Sequence, residues 1–468
     1  MNGNYKYLFK NIGLLTLSNF ATKLLSFFLV PLYTSVLSTT EYGTYDLFNT
    51  TISLLIPILT LNIFDGVSRY ALEKEYDRSA IVTVGARYYI RSCIFIFALI
   101  ILNYVLGINP IFSEYGVLFA LMFMVQALSG IVVGYTRGID RISDLSVSSV
   151  ITTAITIGCN IVFLVVFKWG LSGYFLANII GPAFHCVYLI IRDKIPQTIN
   201  FKKKYNKEKK ELLEYSRPLI FNSLSWWVNN AADKYVVIGF CGLSANGIYS
   251  VASKIPTILN VFQSIFSQAW TLSAVKDFDP EDKKGFFKNM YASYNCAMTV
   301  LCSAIIAGDK ILARILYAND FYGAWVYVPW LTISIVFGSM SGYIGGIFSA
   351  VKDPKMFAKS SIIGAVLNVI LNFALTPVVG VMGAAVATTV SYFVIWLIRY
   401  YNVRKYINLR ISLCRDLLSY ALLVVQSIIL ILIEQNLILY ILQACMFLIM
   451  LVLYRKDIIL VVRKVLRR

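Results

Sequence analysis

Charge is what this sequence has least of. Only 14% of its 468 residues are Asp, Glu, Lys or Arg, and 58% are apolar; a soluble domain carries about 25% charged residues. One core cannot bury that composition, because cores stop growing at about 250–300 residues. A soluble enzyme and a receptor with a large globular head are therefore excluded. There is one histidine, His185, in an apolar stretch, which argues for a packed side chain and against a proton relay. The eight cysteines lie in or beside apolar segments with no CxxC. That excludes a disulfide scaffold and a cysteine metal site, and small buried hydrophobes are expected. No P-loop occurs, which removes ATP as a drive, and no cofactor is expected. No cleavable leader is expected, since the first apolar run is too long for one.

What the sequence has instead is long hydrophobic runs, with a mean hydropathy of +0.71. A bilayer span needs about 20 such residues. Runs bounded by polar or Gly/Pro breaks fall at about 11–36, 44–66, 86–107, 114–136, 146–167, 170–191, 217–239, 247–272, 289–307, 323–350, 356–377, 381–400, 415–433 and 436–454. Their length and lack of alternation predict helices. The expected fold class is thus all-α integral membrane, with about 14 transmembrane helices.

The 42 basic and 24 acidic residues give a net charge of +18. On a soluble protein that would be a nucleic-acid surface. Here the loops on the side of the N-terminus hold 36 of the 42, the opposite loops hold only Lys168, Lys310 and Arg314, and Lys23, Lys234 and Lys254 fall inside spans. This bias predicts both termini in the cytoplasm and accounts for the charge without nucleic acid. The densest run, KKKYNKEKK from Lys202 to Lys210, reads as a topogenic linker facing anionic lipid.

The linker invites a comparison of the halves. After span one the chain reads LSTTEYGTYDLF, with Gly43 and Tyr45; after span seven it reads LSANGIYSVA, with Gly247 and Tyr249. Span six begins GLSGYFLA (Gly170, Gly173, Ala177) and span twelve GVMGAAVA (Gly380, Gly383, Ala387). The two motifs recur in order, at offsets of 204 and 210 residues. Six spans per half make the repeats parallel, with a site expected between them near mid-membrane. The expected organisation is an N-lobe over 1–192 with spans one to six, a basic cytoplasmic linker over 193–216 and a C-lobe over 217–400 with spans seven to twelve. Residues 401–468 then carry spans thirteen and fourteen and a basic cytoplasmic tail.

Charged side chains within spans are expensive and face a partner or a watery cavity. Asn19, Thr22, Lys23 and Ser26 share a face of span one, and Asn49, Ser53 and Thr60 form a stripe on span two that ends in Asp65 and Arg69. Span seven is the most polar, with Asn222, Trp226, Asn229 and Asp233 at 4, 3, 4 spacing and Asn230 and Lys234 alongside; span eight adds Lys254, Gln263 and Gln268. A net cationic cavity suits an anionic ligand, and amides and aromatics suit hydroxyl-rich groups. Asp233 and Lys254, at similar depth on neighbouring antiparallel helices, would equally well neutralise each other. Asp277-Phe-Asp279 has the form of a metal-nucleotide-sugar DxD, but in a loop of about 16 residues with no domain around it, so a solvated charge cluster is expected. The run Gly338, Ser339, Ser341, Gly342, Gly345, Gly346 makes span ten either a hinge or a close-packing surface.

The LSTTEYGTYDLF junction, SRYAL at Ser68 to Leu72, and DKYVVIGF…GIYSVASKI from Asp233 to Ile255 resemble the polysaccharide transporter, or oligosaccharide flippase, family. That family's superfamily includes multidrug and toxin extrusion exporters and lipid II flippases. The resemblance implies two six-helix repeats of the exporter type plus two helices, in a bacterial inner membrane, with no enzymatic activity. It implies translocation of undecaprenyl-pyrophosphate-linked oligosaccharides to the outer leaflet by alternating access, alongside other polysaccharide-assembly proteins. The substrate-binding residues would be Lys23, Asn19, Asn229, Asp233, Lys234, Lys254 and Arg69, with Asp65 or Asp233 as the coupling group. Spans thirteen and fourteen would carry a groove for the lipid tail. The competing readings are an ion-coupled multidrug exporter, a lipid II flippase and, from another class, a membrane glycosyltransferase or polymerase.

Overall fold

The computed structural model describes residues 22–23, 27–73, 75–276, 278–283, 285–351, 353–409 and 411–459. Among them every long regular element is a helix: α1 Val30–Val36, α2 Thr39–Leu59, α3 Ile63–Ala71, α4 Arg78–Leu106, α5 Pro110–Gly138, α6 Ile142–Asn160, α7 Gly170–Arg192, α8 Asn206–Ala252 (two helices joined across a kink at Gly242, φ 86°), α9 Thr257–Lys276, α10 Phe286–Leu316, α11 Val328–Ala350, α12 Pro354–Val379, α13 Val381–Val403, α14 Leu413–Leu432 and α15 Leu437–Leu453. Among the described residues ten helices are long and apolar enough to cross a bilayer, and α2 with α3 makes an eleventh, bent by 63°. The chain is a multi-pass integral membrane protein.

Three of the expected spans explain the difference from fourteen. Most of span one lies outside the described residues. Span eight is interrupted at 253–256 by a turn that carries Lys254 and Pro256, because proline supplies no N–H to continue the ladder; the following helix, α9, is diluted by Gln263, Ser264, Ser267 and Gln268. Span fourteen forms α15, apolar but only 17 residues long.

The chain divides into two compact units, Met1–Ala231 and Ala232–Arg468. The division falls inside α8, later than the 193–216 linker. The linker belongs to the first unit for an apolar reason: Ile195, Tyr205, Leu212 and Leu213 are buried in a core with Ile63 and Val67 of α3, Ile81 and Val84 of α4, and Ile131 of α5. Arg87 donates to the carbonyls of Phe201 and Lys203 at 2.9 and 2.8 Å, and Asp193 accepts from Thr136 and Arg141. The lysines of the run stay largely at the surface.

α2 begins with a reciprocal cap. Ser38 Oγ accepts from the Glu41 N–H at 3.2 Å and Glu41 Oε2 accepts from the Ser38 N–H at 2.8 Å, which satisfies two otherwise orphaned donors. It carries Pro57 in its last turn and ends at Leu59, after which Leu61 and Asn62 turn left-handed, at φ 52° and 54°, and α3 sets off in a new direction.

In the second unit α11 is the central helix, packed by α9, α10, α12 and α13. A methyl added to Gly345 would sit 2.6 Å from the Phe357 ring, and one on Gly346 would sit 2.5 Å from Trp270. These two glycines serve close packing, and α11 runs unbroken through them. Arg399 of α13 is 4% exposed; it donates to Ser360 Oγ, Ser341 O and Ser361 Oγ at 2.9, 3.0 and 2.8 Å and lies over the Phe357 ring. It thereby ties α11, α12 and α13 together. α14 and α15 are held to α10 by a buried polar seam. Ser303 Oγ donates to Gln426 Oε1 at 2.8 Å, Gln443 Nε2 to the Gln426 carbonyl at 3.1 Å, and Asn295 bonds Tyr454 and Tyr420.

All eight cysteines are free; Cys93, Cys186, Cys296 and Cys302 are buried, but Cys414 and Cys445 are exposed on α14 and α15. The buried reading fails for those two, since a membrane helix also places apolar residues outward. His185 is buried, as expected of a packed side chain.

The motifs of the proposed repeat adopt the same local form in each unit. Gly170 and Gly380 both have positive φ, 55° and 63°, immediately before α7 continues and α13 starts. Three residues on, Gly173 and Gly383 each lie against the preceding helical segment, at Phe163 and Leu375, where a side chain would collide. The GxY tyrosine meets this helix in both units: the Tyr45 ring lies edge-on to Tyr174 at 4.5 Å, and the Tyr249 hydroxyl reaches Thr388.

Candidate functional site

The first unit contains an open cavity of about 550 Å³. Its polar lining comes from Asn49 and Ser53 of α2, Gln126 and Ser129 of α5, and Ser223 of α8. Ile56, Pro57, Phe64 and Pro182 supply the apolar part. The span-two stripe read from the sequence therefore faces a cavity over its first part, and Asn49 Oδ1 accepts from Gln126 Nε2 at 3.1 Å. Thr60, lower on the stripe, bonds its own helix at Ile56 O.

The break between α2 and α3 borders this cavity. Asn62 is fully buried; its Nδ2 donates to Asp65 Oδ2 at 2.6 Å and its Oδ1 accepts from Ser223 Oγ at 3.4 Å. Trp227 Nε1 of α8 donates to the Thr50 carbonyl at 3.0 Å. Asp65 is thus engaged at the first turn of α3, where a carboxylate also suits the helix dipole. Arg69 pairs with Glu73 at 2.7 Å and is about half exposed.

In the second unit a different set converges. The Tyr249 hydroxyl donates to Asp233 Oδ2 at 2.6 Å, and Asp233 Oδ1 accepts from the Lys234 N–H at 2.9 Å. Asn368, Asn372 and Thr376 form a buried stripe on α12. Asn368 Nδ2 donates to Thr388 Oγ1 at 3.2 Å, and Asn372 Nδ2 to Asn368 Oδ1 at 3.2 Å. Thr388 also lies near the Tyr249 hydroxyl, so the carboxylate and the amides are neighbours in one polar group. Tyr249 stands beside the Asp233 carboxylate, where the sequence alone offered Lys254.

The remaining expected residues are placed as follows. Lys23 is helical and half-buried, and does not line the cavity described above; Asn19 and Ser26 lie outside the described residues. Asn229 and Asn230 back-bond to Ser225 O and Trp226 O along α8, at 2.9 and 2.6 Å. Lys254 sits at the 253–256 turn. Of the DxD, Asp277 lies outside the described residues, and Asp279 accepts from the Glu281 and Lys283 N–H groups, a local turn cap. The sequence reading missed Gln126, Ser129, Thr388 and the α12 stripe. The stripe had a visible signal, because Asn368, Asn372 and Thr376 repeat at four-residue spacing within span eleven.

The architecture matches that of a lipid II flippase, MurJ, in an inward closed conformation, with a TM-score of 0.67 at 15% identity over 96% of this chain and 99% of that one. It also matches an inward-facing MATE multidrug transporter of the MOP superfamily, with a TM-score of 0.64 at 14% identity, covering 84% and 95%. The fold class is therefore the one shared by these two transporters.

Within that class the chain belongs to the polysaccharide biosynthesis protein family, whose model matches residues 8–271. It is 23% identical over 216 residues to the probable low-salt glycan biosynthesis flippase Agl15 of Haloferax volcanii, covering 45% of each chain. It is 23% identical to the stage V sporulation protein B of Bacillus subtilis, over 64% of this chain and 62% of that one. The capsular polysaccharide biosynthesis protein CapF of Staphylococcus aureus is 22% identical over 54% and 59%. The chain spans about half to three-fifths of the length of these relatives.

Proposed function

We propose that the protein is a flippase that carries undecaprenyl-pyrophosphate-linked oligosaccharide units from the cytoplasmic to the outer leaflet of a bacterial inner membrane, for surface polysaccharide. The observation that carries this reading is the family match, together with a polar cavity inside an otherwise apolar membrane body. A sugar-pyrophosphate head cannot cross hydrocarbon unaided, because its polar groups would lose hydration with no partner. Lys23, Lys234 and Lys254 would hold the pyrophosphate, with Asn19, Asn229 and Arg69 as further contacts, and the lipid tail would stay in the bilayer. Exposed apolar residues on α14 and α15, Leu432 and Leu437 among them, offer that tail a surface.

Asp233 is the better of the two coupling candidates. It is a neighbour of Tyr249, Thr388 and Asn368 in one polar group, whereas Asp65 is taken up by Asn62. An ion gradient or the membrane potential would drive the cycle. The full arrangement we propose is fourteen spans, two parallel six-helix repeats and cytoplasmic termini, working beside other polysaccharide-assembly proteins.

Deleting the protein in its host and measuring lipid-linked oligosaccharides with surface polymer tests the reading. Accumulated, fully built lipid-linked units with polymer lost are expected. Normal pools with normal polymer would sink the proposal in favour of a drug exporter. Truncated units would point to an enzyme. Lys23→Ala should reproduce the deletion while the protein still inserts; full activity would remove span one from the site.

A further inference from the structure

From the lining of the cavity in the first unit we infer that the glycan this protein accepts is uncharged at the sugar residue the cavity holds. The inference rests on the flippase reading and narrows its substrate class. No Asp, Glu, Lys or Arg among the described residues lines the cavity. What lines it is neutral and mixed in hydrogen-bonding sense.

Asn49 and Gln126 spend one N–H and one acceptor position on each other. Whichever way the two carboxamides are turned, three N–H donors and one whole carbonyl remain for a ligand. Ser53 and Ser223 use their protons within the protein, on Thr50 O and Asn62 Oδ1, and so face the cavity as acceptors. Beside them stand the Phe64 ring and the Pro57 and Pro182 rings. A pyranose presents the complement of this wall, with hydroxyls that both donate and accept around a rim and C–H groups on a face. The volume, about 550 Å³, lies within the usual range for small-molecule sites of about 300–1,000 Å³.

A uronic acid or another acidic sugar fits the same wall badly. Its carboxylate would leave water for a lining that offers amide donors but, among the described residues, no cation, and an unpaired charge is far costlier to desolvate than a hydroxyl. The cationic side chains assigned to the pyrophosphate do not repair this, because Lys23 and Arg69, which belong to this unit, are not among the lining residues.

The test uses the full chain in liposomes with two short-chain polyprenyl-pyrophosphate disaccharides, one built from N-acetylhexosamines and one carrying a uronic acid. Translocation is read as the fraction protected from a membrane-impermeant pyrophosphatase. The neutral compound should move at least about tenfold faster. Ser53→Lys, and independently Ser129→Lys, should narrow that gap by bringing a cation to the lining, and Gln126→Leu should slow the neutral compound. Equal rates for the two compounds with the unmodified protein would overturn the inference and leave the flippase reading standing. So would a gap that neither lysine variant changes when both reach the membrane in normal amount. Movement of neither compound would remove the flippase reading and this inference with it.

Discussion

The hydroxyl of Tyr249 donates to Oδ2 of Asp233 across 2.6 Å. One partner comes from the GxY motif and the other from the polar face of span seven, so two features read separately in the sequence meet at one carboxylate. Tyr249→Phe removes the donor while keeping the ring. It should lower ion-driven transport by about tenfold, the equivalent of about 1.4 kcal/mol, and Asp233→Asn should abolish it. Proteoliposome transport with and without an imposed ion gradient checks this; a Tyr249→Phe protein with unchanged gradient dependence would place coupling elsewhere.

Arg399 is satisfied by hydroxyls and carbonyls from two helices, α11 and α12. Arg399→Met removes these charge-assisted hydrogen bonds and should cost about 2–3 kcal/mol. Arg399→Lys keeps the charge but not the planar fork and should recover only part of that. Thermal unfolding of the detergent-solubilised protein measures both; equal stability of Arg399→Lys and the parent would refute the clamp.

The polar seam predicts that α14 and α15 stay fixed to α10. Gln426→Leu leaves the Ser303 hydroxyl and carbonyl without their partner, while Gln443 keeps its bond to the backbone carbonyl of residue 426, and should destabilise by about 1–2 kcal/mol, the upper end for hydrogen bonds between membrane helices. The same thermal measurement applies, and no loss of stability would show the seam to be dispensable.

At the break between α2 and α3, Asn62 combines a left-handed backbone with two side-chain bonds. Asn62→Ala loses both advantages, and Asn62→Gly loses only the side chain. Alanine should therefore be the more destabilising by about 1 kcal/mol, the cost of a left-handed non-glycine residue. The reverse order in unfolding experiments would mean that the backbone relaxes at this position.

Outside the spans, the Tyr406 hydroxyl donates to Asp353 Oδ2 at 2.6 Å and, with backbone N–H groups of Met356 and Lys355, holds this carboxyl below the ordinary value of 3.8. A depressed carboxyl pKa favours the folded state above the unfolded value, and that contribution is lost as pH falls through the lower, folded one. Asp353→Asn should therefore be less stable than the parent at neutral pH, with the difference closing only below the ordinary aspartate range. A difference that does not change with pH would show that the charge plays no part.

Much of the design was legible before any coordinates. The all-helical membrane class followed from composition, because 58% apolar residues cannot be hidden in one core. The span-two stripe pointed at a cavity because a helix keeps residues three and four apart on one face. Both glycine motifs marked helix starts, since a left-handed residue followed by a close helix contact leaves little choice but glycine. Other features were hidden for identifiable reasons. The linker was legible as charge, but its anchoring was not: Tyr205, Leu212 and Leu213 are three apolar residues scattered among lysines, and only the surface that receives them gives them meaning.

What the sequence determined by itself is what depends on local spacing and on transfer from water: which segments enter the membrane, where helices begin, and which faces are polar. What the tertiary structure decided is which polar groups satisfy one another. Asp233 had Lys254 and Tyr249 at comparable separations along the chain, and Arg399 had no acidic residue to choose. Inside hydrocarbon each buried donor must find an acceptor, but the identity of that acceptor depends on how helices distant in sequence are packed, which spacing along one helix does not encode.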